Sequence, residues 1–125
     1  MKKKNKNINI SSGMIDGEKL SKITNEYAIS LNIMRKQDLN SHNMKTFEIP
    51  AMNGLLLTRR NAEQNTFFKE NVFCYMYKDH KELRKKIKHI LANSTKANII
   101  RKAAHKKVRQ FSYDNRLKFL LSNLL

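Results

Sequence analysis

The sequence predicts an α/β fold, with a small parallel β-sheet flanked by helices and a helical C-terminal tail. Up to Tyr77, short segments that are apolar, or that alternate between apolar and polar residues, are interspersed with segments of helical periodicity. After Tyr77 the whole pattern is helical. Strands that alternate with helices pair in parallel through right-handed crossovers, so the pattern indicates half of a doubly wound sheet. A length of 125 residues fits one domain.

Four short strands are expected where apolar and β-forming residues alternate or cluster. They cover residues 7–10, 28–33, 55–58 and 72–77. The first two alternate between apolar and polar side chains, whereas the last two are apolar runs of the kind that a parallel sheet buries. Cys74 falls inside the last run, so we expect it to be a buried small side chain and not a nucleophile.

Helices are predicted where apolar residues recur every three or four positions. They are expected over residues 18–27, 42–52, 61–68, 79–92, 96–111 and 114–124. Asp16, Asp79 and Asp114 stand where N-cap residues are expected, and the helix at 42–52 is expected to be capped by Ser41 or Asn43. Glu82 completes the spacing of a capping box with Asp79. Pro50 lacks a backbone donor and clashes one turn back, so the helix that contains it must be short, kinked or 3₁₀-like near its start.

The composition is strongly basic, with 26 Lys+Arg against 10 Asp+Glu and a net charge of +16. Such a charge is the footprint expected of a nucleic-acid-binding protein. However, lysine outnumbers arginine 19 to 7 and there are 15 asparagines, which is also what an AT-rich genome produces without functional selection. The lysines are scattered, whereas a dedicated phosphate-backbone binder favours arginine and interleaved aromatic residues.

Several functional classes are excluded by missing motifs. A single cysteine, Cys74, excludes a disulfide framework and a cysteine-rich zinc site. The histidines have no metal-ligand spacing, and neither a P-loop nor a dinucleotide-binding glycine turn occurs. No apolar stretch is long enough for a membrane span, and the basic N-terminus lacks the apolar segment of a secretory signal. We therefore expect a cytoplasmic protein.

Ligands of doubly wound sheets bind at the carboxyl ends of the strands, beside helix N-termini. The loops 34–45, 58–62 and 78–80 follow the predicted strand ends. Arg59 and Arg60 lie in the second loop. Two interpretations are open: one of them contacts a phosphate, or both belong to a solvated basic turn. The sequence thus predicts that any ligand site is built from these three loops.

The block that spans the first two of these loops is distinctive. Residues 42–58 read H-N-M-K-T-F-E-I-P-A-M-N-G-L-L-L-T. This block resembles the C-terminal domain of the spore-protein/CgeB-like glycosyltransferases, relatives of the group 1 glycosyltransferases with the GT-B fold. Two later segments, 81–83 (K-E-L) and 111–116 (F-S-Y-D-N-R), are similar to the closing helices of that family. The resemblance covers residues 10–124, nearly the whole chain.

The resemblance implies a Rossmann-like half-domain of a GT-B glycosyltransferase that binds a nucleotide diphosphate sugar and needs no metal or other cofactor. Glu48 would hold the ribose hydroxyls, for which an ionised carboxylate is a natural acceptor. His42, Asn43 and Lys45 would surround the diphosphate at the helix N-terminus, which favours anions. Arg59 is a weaker phosphate candidate. The catalytic residue stays unknown, since in GT-B enzymes the base usually comes from the N-terminal domain.

The sequence departs from the family pattern at three places. Asn53 precedes the only glycine of a site that often carries more. Lys45 stands where the family usually has arginine, and residues 71–73 lack the glycine and the acid that often precede the next strand. Tyr113 and Arg116 match the family's closing signature. We interpret them as structural residues in a C-terminal helix that packs back on the sheet.

We therefore divide the chain into a basic disordered tail, residues 1–7, and an incomplete glycosyltransferase C-terminal domain, residues 8–125. Such a chain is expected to act with an N-terminal domain or a partner chain and to be inactive alone. Two other hypotheses stay open. The chain is a small basic nucleic-acid-binding protein, or it is a degenerate module that kept the fold and lost the ligand.

Overall fold

The structure is a computed structural model that describes residues 12–125, so the predicted tail at 1–7 and the predicted strand at 7–10 lie outside the described residues. A three-stranded parallel sheet in the order β1–β2–β3 forms the centre. The strands are β1 (Ser30–Asn32), β2 (Leu56–Arg59) and β3 (Tyr75–Tyr77), and the helices are α1 (Gly17–Glu26), α2 (Met44–Ala51), α3 (Ala62–Phe67), α4 (His80–Ala92), α5 (Ser94–Lys107) and α6 (Tyr113–Leu124). The predicted fold class is confirmed: the molecule is a Rossmann-like half-domain with a helical C-terminal tail.

Strand β2 is the centre of the sheet. Leu57 pairs with Leu31 of β1 on one side and with Tyr75 of β3 on the other. Because successive strand residues face opposite sides of a sheet, Leu56 and Leu57 enter two different cores. Both leucines are fully buried, which explains why the sequence of this strand is a continuous apolar run.

A hydrophobic core lies on each face of the sheet. The face under α2 and the end of α5 contains Ile49, Leu56, Phe68, Cys74, Met76, Ala104 and Val108. The face under α4 and the start of α5 contains Leu55, Leu57, Tyr75, Tyr77, Ile90, Ala97 and Ile100. The burial predicted for Cys74 is confirmed, and burial raises the pKa of its thiol to about 12. The thiol is therefore protonated at neutral pH and is not a nucleophile.

Strand β3 begins later than the predicted range 72–77, because the chain first makes a tight turn. Asn71 adopts a left-handed backbone with φ of 62°, and its N–H donates to the carbonyl oxygen of Cys74 over 2.8 Å. Asparagine tolerates this conformation better than other non-glycine residues. Asn71 thus provides the left-handed turn for which a glycine would otherwise be expected in this segment.

Helix α2 ends in a tight turn that also uses an asparagine. Asn53 adopts φ of 59°, and its N–H donates to the carbonyl oxygen of Pro50 over 3.0 Å. The N–H of Gly54 reaches back to the carbonyl oxygen of Ile49 over 2.9 Å. These two bonds form a Schellman motif, which satisfies the last carbonyls of the helix. As predicted, the helix is short, and Pro50 lies in its last turn.

The expected N-caps are only partly correct. The side chain of Asp79 caps α4 by accepting a hydrogen bond from the N–H of Glu82 over 2.8 Å, as predicted. Asp16 occupies the N-cap position of α1, but its side chain makes no capping hydrogen bond. The prediction that Asp114 caps α6 is wrong. Ser112 does so instead, because a 3₁₀ turn at Val108–Phe111 ends α5 early and α6 begins directly after Ser112.

The prediction that the C-terminal helix packs back on the sheet is also wrong. Helix α6 packs against the 3₁₀ turn Val108–Phe111, and none of its residues is buried. Its exposed apolar side chains are Tyr113, Leu117, Phe119, Leu120, Leu121 and Leu124. Tyr113, Leu117, Leu121 and Leu124 follow one another at helical spacing, so they form a continuous apolar stripe. Within residues 12–125 no helix is both long and apolar enough to cross a membrane.

We expect Gly54→Ala to destabilise the fold by about 1–3 kcal/mol, the usual effect of overpacking. A Cβ atom at Gly54 would lie 2.5 Å from Cγ2 of Thr24 and 3.0 Å from Cγ2 of Ile49. Urea denaturation measures the loss. Adding Thr24→Ser removes the nearer methyl group and should restore part of the stability. A Gly54→Ala protein as stable as the parent would show that α1 does not press on this turn.

Candidate functional site

The three predicted loops meet at the carboxyl edge of the sheet. Strands β1, β2 and β3 end there at Asn32, Arg59 and Tyr77, and α2 begins there at Met44. The side chains at this edge form a buried polar network, two ion-pair clusters and an open groove. The groove is a cavity of ligand size.

The polar network joins β1, β2, α2 and α3. Asn32 and Asn43 exchange two amide hydrogen bonds of 3.0 and 3.1 Å. Asn32 also donates to Thr58 over 3.3 Å, and Gln64 donates to the same hydroxyl over 3.0 Å. Thr46 donates to the Gln64 carbonyl over 3.0 Å. Apart from Asn43, all members are at least 97% buried, so the bonds replace water that these groups have lost.

Asn43 is the residue through which this network holds α2. Its Oδ1 accepts the backbone N–H of Thr46, and the Thr46 hydroxyl accepts the backbone N–H of Asn43, which makes a reciprocal capping box. Of the two expected caps, Ser41 and Asn43, it is Asn43 that caps. Its side-chain amide is therefore engaged in fixing the helix start. Asn32 and Gln64 were missed at the sequence level, because no local pattern separates a buried amide from an exposed one.

His42 lies directly before this cap and is held by α3. Its Nδ1 contacts the carboxylate of Glu63, which also accepts a hydrogen bond from Ser41 over 3.2 Å. The imidazole packs edge-on against the rings of Phe47 and Phe67, with centroids 5.4 and 4.9 Å apart. One ring nitrogen is thus occupied, and the ring remains about one-third exposed at the helix start.

Lys45 lies in the first turn of α2 and forms an ion pair of 3.0 Å with Glu48, which lies one turn into the helix. Both side chains are partly exposed, so the pair is of the kind that contributes little to stability and exchanges readily. Glu48 also lines an open groove of about 480 Å³ between α2 and the segment that leads into α6. The groove is lined mainly by apolar side chains, among them Met44 and Phe47.

The groove brings together two sequence motifs that lie far apart in the chain. Arg116 also lines it, and its guanidinium lies over the rings of Phe47 and Phe111, 5.3 and 6.0 Å from their centroids. Tyr113 stands at the rim and is 87% exposed. Arg116 thus covers the aromatic core, as expected of a structural residue, whereas Tyr113 is largely free of such contacts.

Arg59 and Arg60 differ in their surroundings. Arg59 ends β2 and is half-buried. Arg60 donates hydrogen bonds to Glu70 over 2.6 and 2.8 Å and to Glu82 over 2.6 and 2.9 Å. Lys86 adds a bond to Glu70 over 3.2 Å. Arg60 is thus committed to an ion-pair cluster that ties the β2–α3 turn to the start of α4, and is neither a free phosphate contact nor part of a freely solvated turn.

This cluster shifts the pKa values of its members. Hydrogen bonds from Arg60 lower the pKa of Glu82 to about 2 and lower the pKa of Glu70 as well. The same bonds raise the pKa of Arg60. No sequence signal identifies the cluster, because its arginine and its two acids are separated by whole elements of structure.

Among residues 12–125 no group of three histidine, cysteine or acidic side chains is arranged to hold a metal ion. The side chains at this edge that are candidates for direct contact with a ligand are therefore charged and polar groups. They are Lys45 and His42 at the start of α2, Arg59 at the end of β2, and the carboxylate of Glu48 in the groove.

Comparison with known sequences gives one match. The model of a family described as glycosyl transferase-like matches residues 4–122. The match therefore includes the whole sheet, the helix start with its polar network, and nearly all of α6. No curated protein and no solved structure matches the chain.

We expect the Arg60 cluster to stabilise the fold at neutral pH and to lose its effect in acid. The pKa of Glu82 is about 2 in the folded state, against an ordinary value of 4.5. Its contribution is therefore complete above the ordinary value and is lost as the pH falls towards 2. Arg60→Gln should lower the free energy of unfolding at pH 7, and the difference from the parent should shrink between pH 4.5 and 2.

Chemical denaturation from pH 7 to pH 2 measures the difference in free energy of unfolding between the parent and Arg60→Gln, with Arg84→Gln as the matched control. Arg84 lies exposed on α4, and no hydrogen bond from its side chain is found within the described residues. A difference between parent and Arg60→Gln that stays constant down to pH 2 would contradict a role for the two carboxylates.

Proposed function

Because the chain belongs to the glycosyl transferase-like family, we propose that it is the donor-binding module of a glycosyltransferase and holds a nucleotide diphosphate sugar at the start of α2. The family match supports a group 1 glycosyltransferase-like domain. The block at 42–58 supports a place closer to the CgeB-like members with the GT-B fold.

The observation that carries the proposal is the position of Glu48. Its carboxylate lies one turn into α2 and borders a groove of about 480 Å³, a volume suited to a small ligand. An ionised carboxylate accepts two hydrogen bonds from a vicinal diol, which is the chemistry of ribose recognition. Lys45 already pairs with this carboxylate, so the ligand would replace a weak exposed ion pair.

The diphosphate would bind at the N-terminus of α2. Free N–H groups and the helix dipole favour an anion there. Lys45 and His42 supply nearby charge and a donor. Asn43 contributes by holding the first turn rigid, since its side-chain amide is already engaged.

The reaction served by such a site breaks the bond between the sugar and the diphosphate and forms a new bond to an acceptor hydroxyl. Negative charge develops on the departing diphosphate oxygen. Cations and N–H groups at the helix start stabilise that charge and so lower the barrier. The proton of the acceptor hydroxyl goes to a base outside this module, on an N-terminal domain or a partner chain.

The apolar stripe of α6 supports the presence of such a partner. Leu117, Leu121 and Leu124 are 56%, 47% and 78% exposed, and a contiguous exposed apolar surface is rare on a monomer unless something binds it. A second domain that covers this stripe would lie beside the groove, because Tyr113 belongs to both.

Calorimetric titration with UDP, GDP, TDP and ADP tests donor binding. The parent should bind one nucleotide saturably, and Glu48→Ala should weaken it by at least about tenfold, since two charge-assisted hydrogen bonds are lost. The matched control is Glu18→Ala, which removes an exposed carboxylate from α1.

The same samples separate the alternatives. A nucleic-acid-binding protein of charge +16 would bind duplex DNA with a steep salt dependence that Glu48→Ala leaves unchanged or strengthens. A degenerate module would be folded and bind no nucleotide. Either result would contradict the proposed function.

We expect Leu121→Ala to change the free energy of unfolding by less than about 0.5 kcal/mol, as for an ordinary surface position. Leu57→Ala serves as the buried comparison and should cost about 2–5 kcal/mol. Thermal or urea denaturation of the isolated chain measures both. A large loss in Leu121→Ala would show that α6 packs on the chain itself and needs no partner.

A further inference from the structure

His42 precedes the N-cap of α2 and is held in one orientation by α2 and α3 together. Its Nδ1 contacts a carboxylate oxygen of Glu63 in the first turn of α3. Its ring packs edge-on against Phe47 of α2 and Phe67 of α3, with centroid distances of 5.4 and 4.9 Å. A ring held between two aromatic side chains exchanges its two nitrogens only by disturbing both contacts. The orientation of the imidazole is therefore fixed by packing as well as by Glu63.

The other ring nitrogen of His42, Nε2, is left for a ligand. It makes no hydrogen bond within residues 12–125, and it is not one of the buried unpaired atoms found there. About one-third of the side chain is exposed. Nε2 is therefore the nitrogen of His42 that is accessible to a ligand at the start of α2.

The contact with Glu63 determines which form of the ring can bind a phosphate. An ionised carboxylate only accepts hydrogen bonds, so Nδ1 of His42 carries the proton that lies between them. In the neutral ring, Nε2 is then an acceptor with a lone pair. A phosphate oxygen is an acceptor as well, and two acceptors do not form a hydrogen bond. His42 can therefore donate to a diphosphate only after Nε2 takes up a second proton.

Glu63 supplies the negative charge that such a protonated ring requires. The imidazolium is paired with the carboxylate through Nδ1 and presents a charged N–H donor at Nε2. The other charged or titratable groups near the start of α2 are Lys45 and Glu48, which pair with each other, and Arg116 and His105, which line the groove beside Glu48. Of these groups, Glu63 is the one that contacts the ring nitrogen directly.

On the basis of the proposed function, in which a diphosphate binds at the start of α2, we propose that Glu63 is a positioning residue for His42. It holds the ring as an imidazolium when the diphosphate binds, so that donor binding is coupled to the uptake of a proton at Nε2. The charged N–H at Nε2 donates to a diphosphate oxygen. The site therefore binds its nucleotide more weakly as the pH rises.

Calorimetric titration with UDP-glucose, GDP-mannose, TDP-glucose and ADP-glucose measures this coupling. The diphosphate of these sugar nucleotides is a diester, which does not titrate over the range of an imidazole, about pH 5.5 to 8. The Kd of the parent should increase across this range and approach a tenfold increase per pH unit at its upper end. Titrations in two buffers of different ionisation enthalpy should show the uptake of about one proton per nucleotide at that end.

Four variants separate the contacts. His42→Gln should bind with an affinity that is constant across this pH range and should take up no proton. Glu63→Gln keeps an acceptor oxygen for Nδ1 but loses the charge, so the affinity should fall at least about tenfold at neutral pH and should decrease at a lower pH than in the parent. Glu18→Gln, which removes an exposed carboxylate from the first turn of α1, should have no effect. His105→Gln should retain the proton uptake.

Histidine NMR of the free chain tests the contact itself without a nucleotide. Long-range ¹H–¹⁵N correlation at about pH 8 distinguishes the two neutral tautomers of an imidazole. The proton of His42 should lie on Nδ1 in the parent and should distribute between both nitrogens in Glu63→Ala. His80, which is exposed at the start of α4, is the control and should give the same spectrum in both proteins.

Nucleotide binding without proton uptake overturns the proposal and leaves the proposed function intact. Uptake that persists in His42→Gln, or that is lost in a His105→Gln protein that still binds, overturns it in the same way. A His42 ring with its neutral proton on Nε2 in the free parent also overturns it. If no sugar nucleotide binds to the folded parent, the proposed function fails and the proposal fails with it. If Glu63→Gln does not fold, the parent's tautomer and His42→Gln are enough to decide.

Discussion

The buried amide and hydroxyl network at the carboxyl edge is the interaction on which the site depends. Asn32 at the end of β1 and Thr58 next to the end of β2 place buried polar groups beside the two apolar cores. Without partners each would cost about 1–3 kcal/mol. Asn43 and Gln64 satisfy them and in doing so fix the first turns of α2 and α3 over the strand ends. The network contributes more to the positioning of these two helices than to net stability, because buried hydrogen bonds require a specific geometry.

The charged side chains at this edge help to hold the same strand ends and helix starts in place. Glu48, Glu70 and Glu82 pair with lysine or arginine side chains and Glu63 contacts His42, so four of the ten acidic residues of the chain take part. The net charge of +16 is therefore not spread evenly over the surface. A ligand that approaches α2 meets paired charges that have to exchange partners. Such a site discriminates between ligands by geometry, whereas a uniform basic surface attracts any polyanion.

The two ends of the sheet and the helical tail differ in the chemistry of the side chains that they present. At the carboxyl edge, Glu48 borders an open groove. At the amino edge, Nε of Arg101 and Oδ1 of Asn53 are buried without a hydrogen-bond partner within residues 12–125. On α6 an apolar stripe remains in water. An exposed apolar stripe of this kind is typical of a surface that binds another apolar surface.

The sequence by itself determined the α/β order, the buried middle strand, the burial of Cys74 and the cap at Asp79. Each of these depends on residues a few positions apart, where backbone geometry leaves little choice. Tertiary structure decided the rest. Ser112, and not Asp114, caps α6, because a 3₁₀ turn redirects the chain before the helix begins. Helix α6 packs against that turn and not against the sheet. Gln64, Arg60 and Arg116 gained their partners from distant segments, since packing in three dimensions and not local pattern determines which polar groups meet.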